Sequence, residues 1–105
     1  MLITLFIEAP EEEKAIQFSS SFFELAEIHN MKPSIDEIED YWKIDDMYKI
    51  YLKIVGPFEN QLPSFLNQIA SKWMELPDEL LASKTMEDCV IHLENLHMII
   101  IEFER

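Results

Sequence analysis

The spacing of the apolar residues changes along this chain, and the order of these changes limits the folds that it can adopt. In residues 47–55, "MYKIYLKIV", apolar and polar side chains alternate, which is typical of a β-strand with one face in a core. Residues 11–30 instead place apolar side chains three or four positions apart. Ala15, Phe18 and Phe22 are examples, and this spacing is typical of a helix with one apolar side. The whole chain predicts the order β-α-β-β-α-β.

Three further stretches predict strands. Residues 2–8 are apolar on both faces, as in a central strand. Residues 35–44 form a hairpin with 47–55, and 97–103, "HMIIIEF", form the last strand. Because paired residues must point to the same side, the hairpin turn contains an odd number of residues, centred near 45–46. On the solvated face of this hairpin, glutamates of the first strand then meet lysines of the second.

Residues 88–94, "DCVIHLE", fit two predictions. The adjacent β-branched residues Val90 and Ile91 favour a strand. A helix is the alternative, because Thr85 and Asp88 have the spacing of a capping box.

Prolines mark the predicted helix boundaries. Pro10 suits the start of the first helix, which runs to about Asn30. Pro57 and Pro63 both suit the start of the second helix, whose apolar stripe continues to Trp73. Pro77 stops that helix, and "PDELLAS" then predicts a short extra turn.

These elements predict a single α+β domain over residues 1–105. Its architecture is a two-layer antiparallel sheet with two helices on one face, the ferredoxin-like βαββαβ arrangement, with room for an extra C-terminal strand. The other face of the sheet then carries an apolar patch of Leu2, Phe6, Met98 and Ile100. A partner, a second copy of the chain or the "PDELLAS" segment could cover this patch.

Charge separates the partners that this chain attracts from those that it repels. With 21 Asp and Glu residues against 8 Lys and Arg residues, its formal net charge is −13. Nucleic acids and anionic membranes are therefore repelled, whereas a basic protein is attracted and its approach is accelerated. Solubility alone is the alternative explanation for this charge.

The single cysteine and the single glycine indicate the cellular compartment and limit the kinds of binding site that we expect. Cys89 is the only cysteine, so no disulfide forms within the chain and a reducing cytoplasm is expected. The first residues lack the features of a signal peptide, and no apolar run reaches the roughly 18 residues of a membrane span. Gly56 is the only glycine, which predicts few turns with positive φ and no glycine-rich phosphate loop.

The densest charge lies in residues 34–46, "SIDEIEDYWKIDD", where six carboxylates surround an adjacent Tyr41-Trp42 pair. Calcium loops place acids at alternate positions around a glycine, and this run has no glycine. In a strand its neighbouring acids point to opposite faces, so no metal site is predicted. A solvated sheet edge that charge protects from aggregation is the alternative.

Few residues offer nucleophile or base chemistry, and they are Cys89, His92 and His97. A Cys-His catalytic pair also needs an oxyanion donor, often on a glycine-rich turn. A free cysteine is more often a small core residue. We therefore predict no catalytic residue and no cofactor, and a thiol enzyme is the least favoured hypothesis.

The hairpin is the predicted partner-binding surface. Aromatic anchors inside a charged rim are typical of binding hot spots, although cross-strand packing that stabilises the hairpin would use the same residues. The predicted surface consists of the acidic and aromatic residues of the hairpin, which are Asp36, Glu37, Glu39, Asp40, Tyr41, Trp42, Asp45, Asp46 and Tyr51.

With "IDEIEDYWKIDD" as a docking edge, this short acidic chain resembles the small immunity proteins of bacterial polymorphic-toxin and contact-dependent growth inhibition systems. The resemblance implies a protein that inhibits a cognate basic toxin, such as a nuclease, and is not itself an enzyme. On this hypothesis the carboxylates imitate phosphates and steer the toxin, and the aromatics hold it. A homodimeric ferredoxin-like regulatory or ligand-sensing domain, joined through the open sheet face, is the alternative.

Overall fold

The described part of the chain, residues 1–55 and 60–103 of a computed structural model, forms one antiparallel sheet. Its strands are β1 (Leu2–Glu8), β2 (Lys32–Asp40), β3 (Met47–Val55), β4 (Met74–Leu76), β5 (Glu79–Ser83) and β6 (Leu96–Glu102). Their order across the sheet is β2-β3-β1-β6-β5-β4. The predicted strands at 2–8 and 47–55 are confirmed, and the predicted last strand is β6 shifted by one residue.

The helices are α1 (Glu12–Phe18), α2 (Ser20–Ile28) and α3 (Leu62–Ile69). The first predicted helix is confirmed in extent but is divided at Ser19. The Ser19 hydroxyl donates to the Ile16 carbonyl at 2.6 Å, and bonds of this kind commonly bend helices. None of the helices in the described ranges combines the length and apolar character needed to cross a bilayer.

The core lies on one face of the sheet. Alternate residues of β1 are buried there, namely Ile3, Leu5 and Ile7. Phe22 of α2 and Phe65 of α3 belong to the same core, and their rings meet edge to face at 5.7 Å between centroids. The helices therefore cover this face, and we call the opposite one the open face.

The predicted α+β class is confirmed, because an antiparallel sheet packs against separate helices. The specific ferredoxin-like order is not confirmed, because the sheet has six strands within the described ranges. The two additional strands, β4 and β5, extend the sheet beyond β6.

The second helix is shorter than its apolar stripe predicts. α3 has Pro63 in its first turn, as expected, but the backbone becomes extended at Ala70 (φ −148°, ψ 152°). Trp73 then folds back, and its indole N–H donates to the Leu66 carbonyl at 3.0 Å. Trp73 thus contacts the helix without belonging to it. The alternative start at Pro57 lies outside the described residues.

Two predictions for the C-terminal part are wrong. The segment 77–83, predicted to be a turn, contains β5, because its backbone finds a pairing partner in β6. Residues 88–94 form neither a regular strand nor a helix. The segment makes one antiparallel bridge, in which Ile91 pairs with Ala70 at the end of α3.

Positive φ angles are more frequent than the single glycine predicts. Asparagine and aspartate occupy these positions, because their short polar side chains tolerate the left-handed region better than other residues do. The residues are Asn30 (58°), Asp46 (56°), Asp78 (60°), Asp88 (58°) and Asn95 (67°).

Candidate functional site

The predicted binding residues lie in and beside the β2–β3 hairpin. β2 ends at Asp40, which pairs with Tyr48, so the prediction that the strand continues to residue 44 is wrong. The Tyr41 N–H still donates to the Met47 carbonyl at 2.9 Å. The turn between that pair is residues 42–46, an odd number as predicted. We call residues 41–46 the acidic loop.

Backbone hydrogen bonds fix the acidic loop to the sheet. The Ile44 N–H donates to the Tyr41 carbonyl at 3.2 Å, which closes a turn within the loop. The Ala9 N–H donates to the Asp46 carbonyl at 2.9 Å, which joins the loop to the end of β1. The positive φ of Asp46, 56°, sets the return of the chain into β3. The loop is therefore closed by a turn within it and tied to the end of β1.

An open concavity of about 570 Å³ lies beside this loop. Trp42 lies at the edge of the concavity and is 81% exposed. The Lys43 ammonium lies 5.5 Å from the centre of the indole ring. Acidic, aromatic and apolar residues line the concavity, and they are Pro10, Asp40, Tyr41, Trp42, Ile44, Asp45, Asp46 and Tyr48.

The structure divides the nine predicted site residues into three groups. Five of them line the concavity, and these are Asp40, Tyr41, Trp42, Asp45 and Asp46. Asp36, Glu37 and Tyr51 line a separate hollow of about 170 Å³ on the open face. Glu39 lines neither hollow and instead bonds to side chains of β3.

A cluster that the sequence did not predict as a unit surrounds the Lys49 side chain. The Lys49 ammonium lies 5.7 Å from the ring centre of Phe6, 5.3 Å from that of Tyr41 and 5.4 Å from that of Tyr51. Glu39 accepts a hydrogen bond from the Tyr51 hydroxyl at 2.8 Å and lies 3.4 Å from the ammonium. Three aromatic faces and one carboxylate therefore bind this cation. We call these five residues the Lys49 cluster.

The Lys49 cluster changes the predicted open apolar patch. Phe6 was expected to be exposed there but is only 4% exposed. The ring of Tyr41 meets the Phe6 ring edge to face at 5.3 Å between centroids, and Lys49 lies against it. Phe6 is therefore a support for the acidic loop, because it fixes the aromatic residue with which that loop begins.

Lysines pair with two acids of β2, Asp36 and Glu39, but with none of the acids at the end of that strand or in the loop within the described ranges. Lys49 pairs with Glu39 at 3.4 Å, which confirms the predicted meeting of a glutamate with a lysine across the hairpin. Lys53 instead pairs with the aspartate Asp36 at 3.8 Å, beside the register shift of β2. Within the described ranges, the carboxylates of the loop and of the residue before it make no ion pair or hydrogen bond. These unpaired acids are Asp40, Asp45 and Asp46.

The pKa of Lys49 is raised above its ordinary value of 10.5. The hydrogen bond with the Tyr51 side chain is the largest cause, burial opposes it, and the attraction of Tyr51 and Glu39 adds to the rise. A raised lysine pKa means that the folded state favours the ammonium form. The resulting stabilisation is complete below pH 10.5 and is lost as the pH rises through the higher folded pKa.

We expect Lys49→Met to lower the free energy of unfolding by about 1–2 kcal/mol, because the stem remains while the cation–π contacts and the ion pair disappear. Lys49→Arg should recover most of this loss. Denaturant unfolding measures the stability, and amide hydrogen exchange at Tyr41 and Ile44 reports on the acidic loop. Faster exchange confined to the loop is expected for Lys49→Met. Unchanged stability and exchange would mean that the cluster does not hold the loop.

The residues of the thiol-enzyme hypothesis have separate surroundings. The Cys89 thiol donates to the Lys72 carbonyl at 3.4 Å. His97 instead lies 3.3 Å from Glu8, whose other oxygen pairs with Lys84 at 3.1 Å. His92 has an exposed side chain. In the described part of the chain, no three His, Cys, Asp or Glu side chains converge in an arrangement that could hold a metal ion.

The chemistry of the acidic loop and of the Lys49 cluster is the basis for assigning a function. Comparison with known proteins found no matching family model, no matching curated protein and no matching solved structure.

Proposed function

We propose that this chain is an immunity protein that binds and inhibits a cognate basic toxin, such as a nuclease, through the acidic loop. One observation carries the proposal: three unpaired carboxylates surround a concavity of about 570 Å³ with the exposed Trp42 at its edge. The carboxylates provide attraction at long range, and Trp42 beside them provides contact at short range.

The long-range part follows from charge. The chain has a formal net charge of −13, and the carboxylates of Asp40, Asp45 and Asp46 form a local excess. Lys43 is the one basic residue of the loop, and it makes no ion pair with them in the described part of the chain. A toxin that acts on a polyanion has a cationic cleft, and complementary charge can raise an association rate by about tenfold to a thousandfold. Rapid association suits an inhibitor that must act before its toxin does.

The short-range part follows from the aromatic residues. An exposed tryptophan inside a charged rim is a common anchor in protein interfaces. Tyr41, next to it, is fixed from below by Phe6 and Lys49. Because the loop is already ordered by its backbone hydrogen bonds, little conformational entropy is lost when a partner binds.

We also propose that the fold is a ferredoxin-like unit with a two-stranded extension. The order of four strands across the sheet supports this proposal, because β2, β3, β1 and β6 are adjacent in that order. β4 and β5 follow at one edge only. The four-strand unit would then carry the acidic loop.

The direct test is a pull-down from cells that naturally produce this chain, with the purified chain as bait at low and at high salt. Recovery of one basic protein that is lost as salt rises would support the proposal and identify the target. The bait alone, dimeric at both salt concentrations, would instead favour the homodimeric sensing domain and would make the acidic loop a solubility feature.

A further inference from the structure

The open face carries a second surface, at the end of the sheet away from the acidic loop. Met74 of β4 pairs with Leu81 of β5, and Leu81 pairs with Ile100 of β6, so the three side chains lie in one row. Met74 is 46% exposed, and its neighbour Leu76 is 42% exposed on the same face. We call this surface, which Leu2 and Met98 complete, the β4–β6 patch.

Two carboxylates face each other inside this patch. Glu79 and Glu102 are directly paired across β5 and β6, and Leu2 pairs with Glu102 from the other side. In the described part of the chain, neither the Glu79 nor the Glu102 carboxylate makes a hydrogen bond or ion pair. Like charges directly opposite one another destabilise a sheet, so the fold by itself gains nothing from this pair.

We propose that the β4–β6 patch docks an amphipathic helix of a partner protein, with lysine or arginine beside its apolar stripe. The apolar row would receive the stripe, and Glu79 and Glu102 would bind the cations. A second layer, made of helices, already covers the core face of the sheet. The apolar row lies on the open face, where these helices do not cover it. A helix with apolar residues three and four positions apart presents a stripe of the required kind.

Charge distinguishes this occupant from a second copy of the chain. Another copy would bring its own Glu79 and Glu102, and a net charge of −13, against the same surface. A cationic helix would instead relieve the repulsion between the two carboxylates. The patch is separate from the acidic loop, because the one β1 residue in the patch, Leu2, begins that strand, whereas the loop is bonded to Ala9 beyond its other end. This proposal therefore does not depend on the function proposed above.

The probe is a synthetic peptide of about 18 residues, about five helical turns, that contains only leucine and lysine at helical amphipathic spacing. The same residues in an order without an apolar side form the control peptide. We expect the helical peptide to shift the backbone NMR signals of Leu81, Ile100 and Glu79 at low salt. The control peptide should bind several-fold more weakly. Shifts confined to residues 41–46, or equal binding of both peptides, would overturn the proposal.

A pair of charge variants makes the test specific to the patch. Glu79→Gln with Glu102→Gln should weaken binding of the helical peptide about three- to tenfold, as expected for the loss of two exposed ion pairs. The matched control, Glu87→Gln with Glu94→Gln, makes the same charge change elsewhere and should leave affinity within about twofold. Equal weakening by both variants would overturn the proposal. So would a stable dimer of the chain alone that Ile100→Thr dissociates.

Discussion

Replacing Phe65 with alanine is expected to lower the free energy of unfolding by about 3–5 kcal/mol. Phe65 is 0% exposed and belongs to α3, the short helix that packs against the same sheet face as α2. Its ring meets the rings of Phe22 at 5.7 Å and His29 at 5.5 Å. Alanine would leave a cavity where three aromatic side chains converge. A domain has only about 5–15 kcal/mol of stability, so the loss is a large fraction of the total.

Denaturant unfolding followed by tryptophan fluorescence measures this loss, with Ile28→Ala as the control. Ile28 also lies on a helix but is 73% exposed, so its truncation should change stability by less than about 0.5 kcal/mol. Similar stabilities for the two variants would contradict the placement of α3 over the sheet.

Replacing Trp42 with alanine is expected to weaken binding of the basic partner about thirtyfold or more, which is the effect of a hot-spot residue. The same change should leave the stability of the chain almost unaltered. Trp42 is 81% exposed. Among the described residues, the Lys43 ammonium is the one group that makes a ring contact with its indole. An effect on affinity without an effect on folding would identify Trp42 as a binding residue.

Calorimetric titration of the partner recovered by the pull-down would give the affinity of each variant. Val90→Ala is a suitable control, because Val90 is also an exposed apolar side chain, at 58%, but lies outside the hairpin. We expect the control to bind like the unmodified chain. Equal affinities for all three proteins would show that the partner does not contact the acidic loop through Trp42.

The sequence predicted the strand faces well, because alternation reports directly on which side chains share a side. From Glu37 to Asp40 the paired positions have the predicted even sum, as in Glu39 with Lys49. A register shift after Ile35 makes the sum odd nearer the start of β2, as in Ile35 with Leu52, and side-chain alternation did not predict this irregularity. The end of β2 was predicted wrongly, since apolar residues continue to alternate through Trp42 and Ile44 after the backbone has left the sheet at Asp40. Side-chain alternation does not report on backbone pairing.

Features that depend on distant pairing could not be predicted. The Lys49 cluster requires Phe6 of β1 to lie beside Lys49 of β3, and local patterns do not specify which strands are neighbours. β5 was missed for the same reason, because "PDELLAS" has no strong strand pattern and becomes a strand by pairing with β6. The concavity likewise needed the loop to be tied to Ala9, a contact between residues far apart in the chain.

Charge steering by the acidic loop is the central claim, and the salt dependence of the association rate tests it most directly. The test variant combines Asp40→Asn, Asp45→Asn and Asp46→Asn, and asparagine at position 46 tolerates the positive φ. The control combines Glu24→Gln, Glu27→Gln and Glu87→Gln, which removes the same number of charges elsewhere on the surface.

Stopped-flow mixing with the recovered basic partner at several salt concentrations measures both variants against the unmodified chain. We predict that the loop variant associates about tenfold more slowly at low salt and shows a flatter salt dependence, whereas the control stays close to the unmodified chain. Equal slowing of both variants would mean that only the net charge matters. An unchanged rate for the loop variant would mean that the partner does not approach through the acidic loop.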